Sequence, residues 1–156
     1  MNGRVLSFVA VLAVGGFFVA RGAFSQSTAP ATRRAISLPD DNPQLPFSGA
    51  ILTGNTLYLS GRIGIDSKTG KAPAEIDDEI KLLLDHVKAT LTAAGMAMDD
   101  LVYVQVACTD LTLYDKFNAA YRSYFSGKEF PAREFIGAAS ILRGGHFELQ
   151  AIAVKR

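Results

Sequence analysis

The sequence has few of the residues on which metal and thiol chemistry depend. Cys108 is the only cysteine, so the chain forms no intramolecular disulfide. The two histidines, His86 and His146, are 60 residues apart, and neither lies near a second thiol or a cluster of carboxylates. Because zinc sites draw on clustered Cys, His and carboxylate ligands, the sequence predicts no metal site. We expect both histidines at the surface or its boundary, and Cys108 as a buried, inert thiol.

Nucleotide-binding and hydrolase motifs are also missing. The segment 64–71 resembles a phosphate-binding loop, but its spacing is one residue too long, and Ala72 stands where Ser or Thr is required. No serine lies in a Gly-x-Ser-x-Gly elbow. The charges are nearly balanced, with 16 basic and 15 acidic residues and no basic stripe. This pattern argues against nucleic acid or another polyanion as a partner.

Only one long apolar run is present, and it lies at the N-terminus. Residues 5–20 follow a short basic start, and Ala23-Phe24-Ser25 offers the small residues that a signal peptidase reads. The run is shorter than the roughly 20 residues of a membrane-spanning helix. We therefore expect a cleaved signal peptide over residues 1–25 and a periplasmic or secreted domain free of the membrane, with an uncleaved anchor as the alternative. Cleavage leaves 14 basic and 15 acidic residues, a net charge of −1.

The rest of the chain divides into a linker and one domain. Residues 26–45 are rich in Ser, Thr, Pro, Asp and Asn, which predicts a flexible linker ahead of a domain at 46–156. Hydrophobic periodicity and turn signals predict the element order β-β-α-β-α-β-β. The predicted strands are 47–52, 56–63, 101–107, 132–141 and 147–154, and the predicted helices are 75–94 and 113–125. Two amphipathic helices packed on one face of a mixed β-sheet give an α+β fold.

Two charges embedded in apolar strands are the best candidates for function. Arg133 follows Phe130-Pro131-Ala132, and Glu148 lies within the closing strand. Such residues are rarely buried unless they are paired or bound to a ligand. A guanidinium can bind a carboxylate through two parallel hydrogen bonds, and a glutamate can hold or deprotonate a water molecule. A structural ion pair, or two solvated charges, is the alternative interpretation.

Strand register bears on that alternative. If the last two strands form a hairpin about Gly144-Gly145, Arg133 faces the region of Val154. It is then offset from Glu148 by about six residues, or roughly 20 Å along the strand. Under that condition, only a second copy of the chain could bring the two charges together.

Several short motifs together resemble those of the RidA family (YjgF, reactive intermediate imine/enamine deaminase). They are Leu59-Ser60-Gly61-Arg62-Ile63, Ser67-Lys68-Thr69-Gly70, Phe117-Asn118-Ala119-Ala120-Tyr121, Phe130-Pro131-Ala132-Arg133 and the terminal Ala151-Ile152-Ala153-Val154-Lys155-Arg156. The resemblance covers essentially all of the predicted domain. It implies a chorismate-mutase-like fold and a homotrimer with ligand clefts between subunits. It also implies hydrolysis of 2-imino or enamine acids, such as 2-aminoacrylate, to 2-keto acids and ammonia without a cofactor.

The resemblance assigns roles to individual positions. Arg133 is expected to bind the substrate carboxylate, and Glu148 is expected to position and activate the attacking water. Ser60 and Gly61 are expected to line the cleft, and Asn118 to contact the ligand. An imine carbon is already electrophilic, so a held carboxylate and an oriented water supply most of what the reaction needs.

Three positions depart from the family pattern. Phe47 stands where a tyrosine is common, Phe135 stands where many members have a cysteine, and Glu134 adds a charge beside the arginine. We expect Phe47 and Phe135 at the substrate site, with Phe135 filling the pocket and restricting or changing its substrates. A second hypothesis is an extracytoplasmic trimer that binds a small carboxylate or a partner protein without turnover. Ribonuclease activity has little support, because a protein with a net charge of −1 has no overall electrostatic attraction for RNA.

Overall fold

A computed structural model describes residues 32–127 and 129–156, and these form a six-stranded sheet with two helices on one face. The strands are β1 (Arg33–Ile36), β2 (Ala50–Thr53), β3 (Thr56–Ile63), β4 (Leu101–Cys108), β5 (Ala132–Gly137) and β6 (Phe147–Val154). The helices are α1 (Ile76–Ala93) and α2 (Tyr114–Arg122). The predicted signal peptide lies outside the described residues. Within the described part of the chain, no helix is both long and apolar enough to span a bilayer.

The sheet is mixed, as the sequence predicts. Its strand order is β1-β2-β3-β6-β4-β5, with β5 parallel to β4 and every other pair antiparallel. The predicted α+β fold is therefore confirmed, with one additional strand. The hairpin considered for the last two strands is wrong, because β5 pairs with β4 while β6 lies between β3 and β4.

The additional strand β1 lies within the segment predicted as a linker. It pairs antiparallel with β2, and its last residue, Ile36, is buried opposite Ala50. A bidentate ion pair holds the following segment in place, since Arg62 donates to the two carboxylate oxygens of Asp41 at 2.5 and 3.0 Å. The linker prediction is therefore wrong at residues 33–36, which form a strand. Residues 26–31 of that prediction lie outside the described range.

Helix α1 forms as its sequence pattern predicts. Its apolar residues recur at spacings of three and four, and Ile80, Leu83, Leu84, Val87 and Leu91 are all fully buried against the sheet and α2. Gly95 then adopts a positive φ of 75°, and the Met96 amide donates to the Leu91 carbonyl at 2.9 Å. A glycine in the left-handed conformation is a common way for a helix to end.

Helix α2 and the neighbouring strands differ from the prediction in their details. The helix is shorter than expected, and Phe117 and Tyr121 face the core. The side chains of β4 do not alternate regularly along the strand, because Val102 is 47% exposed while Val104 and Val106 are buried. A register shift between Leu101 and Tyr103 produces this change. Strand β5 ends at Gly137 instead of continuing to residue 141.

Candidate active site

Arg133 lies on the helix-covered face of the sheet. It is in register with the buried Val104 of β4, so its side chain projects toward α2. Its Nη2 donates to Asn118 Oδ1 at 2.6 Å. Four aromatic ring centroids surround the guanidinium carbon, at 4.9 Å for Tyr121, 5.6 Å for Tyr114 and Phe135, and 6.0 Å for Phe117. A guanidinium has five N–H donors, and this arrangement fixes its position while using few of them.

A half-open cleft of about 220 Å³ lies in front of this arginine. Its lining residues are Tyr114, Asn118, Tyr121, Arg122, Phe130, Pro131 and Arg133. Among the described residues that line it, two are arginines and none is acidic, so the cleft favours an anion. An apolar cavity of about 150 Å³ is enough for benzene, so the cleft has room for a small organic acid.

Tyr121 forms one wall of the cleft and is almost completely buried. Its hydroxyl has no hydrogen-bond partner among the described residues. Burial raises the pKa of this hydroxyl to about 12, although the nearby charge of Arg133 opposes the rise. The phenol is therefore neutral at physiological pH. It provides a flat aromatic surface against the guanidinium and cannot serve as a base there.

Glu148 lies on the opposite face of the sheet. It is in register with Ala107 of β4 and Ile63 of β3, and both of its neighbours in β6, Phe147 and Leu149, are buried under the helices. Its carboxylate lies against Gly61, where any Cβ would overlap Oε1. Glycine at this position therefore makes room for the carboxylate.

Gly61 belongs to a bulge that also places Ser60. The β3–β6 register shifts between Leu59 and Arg62, so Ser60 and Gly61 together oppose a single residue of β6. Ser60 Oγ donates to the carbonyl of Ser48 at 2.6 Å. Ser48 follows Phe47, a residue that is 58% exposed. The bulge thus joins Glu148 and Ser60 to the loop that carries Phe47.

The predicted site residues therefore fall into two half-sites. We call Arg133, Asn118 and Phe135 the arginine half-site, and Glu148, Gly61, Ser60 and Phe47 the glutamate half-site. Strand alternation excludes an ion pair between Arg133 and Glu148 within one chain, because the sheet separates the two side chains. One chain does not bring the predicted carboxylate-binding group and the predicted water-activating group together.

Phe135 does not fill the cleft as the sequence suggests. Its ring packs edge-on against Tyr114, with centroids 5.0 Å apart, and against Phe117 at 5.5 Å. It lies behind Arg133 and is not among the residues that line the cleft. Glu134 projects from the face that carries Glu148, where its carboxylate accepts a hydrogen bond from Tyr103 at 3.3 Å.

Cys108 is the buried thiol that the sequence predicts. Burial raises its pKa, and the thiol donates to the Asp110 carbonyl at 3.1 Å. The group is therefore protonated at neutral pH and unsuited to nucleophilic chemistry. Among residues 32–127 and 129–156, no three His, Cys, Asp or Glu side chains are grouped so that they could hold a metal ion.

The sequence reasoning missed Glu79 and the aromatic surroundings of Arg133. Glu79 is fully buried on α1 and accepts hydrogen bonds from His146 and Phe147. A signal for it was present, because Glu79 lies on the apolar face that begins at Ile76. Tyr114 and Tyr121 lie seven residues apart on α2, which places them on one helical face with Asn118 between them.

Comparisons with known proteins are consistent with this fold. A RutC family protein of Pyrococcus horikoshii is 37% identical over 111 residues, or 70% of this chain and 87% of that protein. A 2-iminobutanoate/2-iminopropanoate deaminase of Escherichia coli is 34% identical over 113 residues, or 71% and 88%. The structure of E. coli TdcF with bound serine has a TM-score of 0.72 and 28% identity, covering 79% of this chain and 99% of that one. Residues 39–155 match the family described as Endoribonuclease L-PSP. With that match and these relatives, the chain belongs to the RidA family.

Proposed function

We propose that this protein hydrolyses reactive 2-imino and enamine acids of the 2-aminoacrylate kind to 2-keto acids and ammonia. The observation that carries the proposal is the environment of the Arg133 guanidinium. Four aromatic rings and Asn118 hold its guanidinium at a cleft whose described lining residues include no acidic group. Among the described residues its side chain hydrogen-bonds to Asn118, which leaves most of its N–H donors for the carboxylate that all such substrates carry.

Glu148 supplies the second part of the proposed reaction. With the substrate carboxylate on Arg133, Glu148 accepts a proton from a water molecule, and the water oxygen bonds to the imine carbon. An enamine acid first tautomerises to the imine, as a proton moves from its nitrogen to its terminal carbon. As water adds, the C=N electron pair moves to nitrogen, and Glu148 then returns its proton to that nitrogen. The C–N bond breaks as the hydroxyl oxygen forms the keto C=O, and the hydroxyl proton leaves with the nitrogen as ammonia. Water and imine acid thus give keto acid and ammonia in balance. Positioning and one general base suffice, because the imine carbon is already electrophilic.

The reaction requires two chains, because each chain presents its half-sites on opposite faces of the sheet. We propose a homotrimer in which the arginine half-site of one subunit meets the glutamate half-site of the next. A head-to-tail interface of this kind closes into a ring under threefold symmetry. The face that carries Glu148 exposes Tyr58 and Ile136, apolar surface that a neighbouring subunit would cover.

The relatives support the substrate class. The E. coli relative is named a 2-iminobutanoate/2-iminopropanoate deaminase, and TdcF was solved with serine, a small amino acid with a carboxylate group. The description Endoribonuclease L-PSP names a different activity for the family. A 220 Å³ cleft with two arginines suits a small acid better than a polynucleotide.

Non-catalytic binding of a small carboxylate by the same trimer is the second candidate, because the cleft around Arg133 serves binding as well as turnover. An extracytoplasmic location is a separate proposal and rests on residues 1–25 alone. To test that location, an expressing bacterium is separated into envelope and cytoplasmic fractions, and the mass of the protein is measured in each fraction. Loss of residues 1–25 supports it, and a full-length cytoplasmic product overturns it.

The test of the activity is the release of ammonia and keto acid from freshly generated 2-aminoacrylate. Wild-type protein should accelerate release, and Arg133→Ala should not. Arg34→Ala is the matched control, because Arg34 is an exposed arginine of β1. Equal rates for the wild type and Arg133→Ala would overturn the catalytic proposal. Arg133-dependent binding of pyruvate without turnover would establish the second candidate instead.

A further inference from the structure

Glu79 is a fully buried carboxylate to which the proposed reaction gives no role. It lies in the first turn of α1, and its side chain has no exposed surface. Burying a charged group is unfavourable unless hydrogen bonds replace the lost hydration. Its neighbours on this helix face are apolar, so packing alone would favour a leucine at this position.

Three hydrogen bonds compensate for this burial, and all come from two consecutive residues. Oε1 accepts from the backbone amides of His146 at 2.6 Å and Phe147 at 3.1 Å. Oε2 lies 2.7 Å from His146 Nδ1, which donates to the carboxylate. The carboxylate therefore binds the chain where β6 begins.

The surrounding backbone leaves space for this arrangement. A Cβ on Gly64 would overlap the backbone carbonyl oxygen of Glu79. A Cβ on Gly145 would press against Ile63 at 2.6 Å and lie 3.5 Å from Glu79 Oε1. Two glycines thus permit the close approach of α1 to the end of β3 and the start of β6.

The residue held by Glu79 directly precedes Glu148. The Phe147 amide bonds to Glu79, and on the other side the His146 carbonyl accepts from the Thr109 amide at 3.0 Å. Strand β6 therefore enters the sheet at a point fixed by both α1 and the end of β4. Because side chains alternate along a strand, the position of Phe147 determines the direction in which Glu148 projects.

We propose that Glu79 is a positioning residue for Glu148, acting through the backbone of Phe147 and His146. The inference rests on the proposed function in so far as it concerns catalysis. The length of the Glu79 side chain is what this role requires, because an acceptor oxygen has to reach the two backbone amides. The negative charge itself is secondary, because it lies on the helix side of the sheet while Glu148 lies on the other.

Two substitutions separate reach from charge. Glu79→Gln keeps the side-chain length, so its carbonyl oxygen accepts from both amides while its NH₂ group donates to His146 in the other tautomer. Glu79→Asp keeps the charge, but its shorter side chain withdraws the oxygens from the amides. We expect Glu79→Gln to keep kcat within about threefold and Glu79→Asp to lower it by about 10- to 100-fold, since a small misplacement of a catalytic group has effects of this size.

Binding provides the second readout. The dissociation constant of pyruvate, the keto acid formed from 2-aminoacrylate, should stay within about twofold of wild type in both variants, because Arg133 is unchanged. Thr90→Val is the matched control, since Thr90 is the other fully buried polar residue of α1 and its hydroxyl bonds within the helix to the His86 carbonyl. It should lower stability and leave kcat unchanged.

Amide hydrogen exchange separates this inference from the proposed function. Phe147 and Glu148 should lose protection in Glu79→Asp and keep it in Glu79→Gln, whether or not the protein is a deaminase. If wild-type protein has no deaminase activity, the proposed function fails and exchange alone decides the positioning role. Impairment of Glu79→Gln with a normal Glu79→Asp would overturn the inference, as would unchanged kcat and protection in both.

Discussion

Arg133 and Glu148, the two charges that stand out in the sequence, project from opposite faces of one β-sheet. Arg133 shares the register of the buried Val104 and points into the helix layer, whereas Glu148 shares the register of Ala107 and points away from it. One chain therefore carries both half-sites but does not form a complete site on its own. This relationship makes assembly a condition of the proposed chemistry.

The contact between Gly61 and Glu148 leads to the first prediction. Gly61→Ala should lower kcat by about tenfold or more, because the new Cβ overlaps Glu148 Oε1 and displaces the carboxylate. Gly137→Ala is the control in another strand, since its Cβ would meet Leu111 at an ordinary 3.6 Å. Steady-state kinetics with 2-aminoacrylate checks the pair. Normal turnover in Gly61→Ala would show that Glu148 does not need its observed position.

Tyr121 and Tyr124 provide a paired prediction about stability. Tyr121→Phe removes a buried hydroxyl that has no partner among the described residues, so the free energy of unfolding should stay the same or rise by about 1 kcal/mol. Tyr124→Phe removes a hydroxyl that donates to Asp85 at 2.8 Å, so the same quantity should fall by about 1–2 kcal/mol. Urea denaturation measures both. A larger loss for Tyr121→Phe than for Tyr124→Phe would show that the Tyr121 hydroxyl has a partner in solution.

The ion pair between Asp41 and Arg62 predicts a pH-dependent contribution to stability. Burial alone would raise the pKa of Asp41, but hydrogen bonds from Arg62 and the Leu38 amide outweigh burial and lower the pKa below its ordinary 3.8. The folded state is therefore stabilised in full above this ordinary value. The stabilisation is lost as the pH falls through the lowered pKa and the carboxylate becomes protonated.

Asp41→Asn should accordingly lower the free energy of unfolding at pH 7 by about 1.5–3 kcal/mol, the range for hydrogen bonds to charged groups. Its difference from the wild type should shrink as the pH falls below 3.8. Asp77→Asn is the control, because the Asp77 side chain is 73% exposed in its pair with Lys116 and such pairs contribute about 0–1 kcal/mol. A difference between wild type and Asp41→Asn that does not depend on pH would contradict this account.

Much of the fold could be predicted because its signals are local. Strands β3 and β6 have the predicted bounds, and α1 is one residue shorter than predicted at each end. Strand β1 was missed because its four residues include two arginines and become a strand only by pairing with β2. The Val102 bulge was missed for a similar reason, since it depends on the register with β6.

The sequence identifies the residues of the candidate site but does not predict how they are arranged. In β6, Glu148 alternates with buried Phe147 and Leu149, so its outward direction was readable. In β5, each of the two faces of the strand has an apolar residue, Phe135 on one and Ile136 on the other. The direction in which Arg133 projects could therefore not be predicted from the sequence. Pairing with β4 decides it, and pairing between distant strands is not encoded locally.

The central claim is that each site combines Arg133 of one subunit with Glu148 of another. The most direct test is to refold Arg133→Ala and Glu148→Ala together in equal amounts and to measure keto-acid release from 2-aminoacrylate. Each variant alone should be inactive. Over all randomly assembled rings, about a quarter of the interfaces receive both intact residues, so activity should recover to about a quarter of wild type. An active wild type with no recovery in the mixture would contradict the claim.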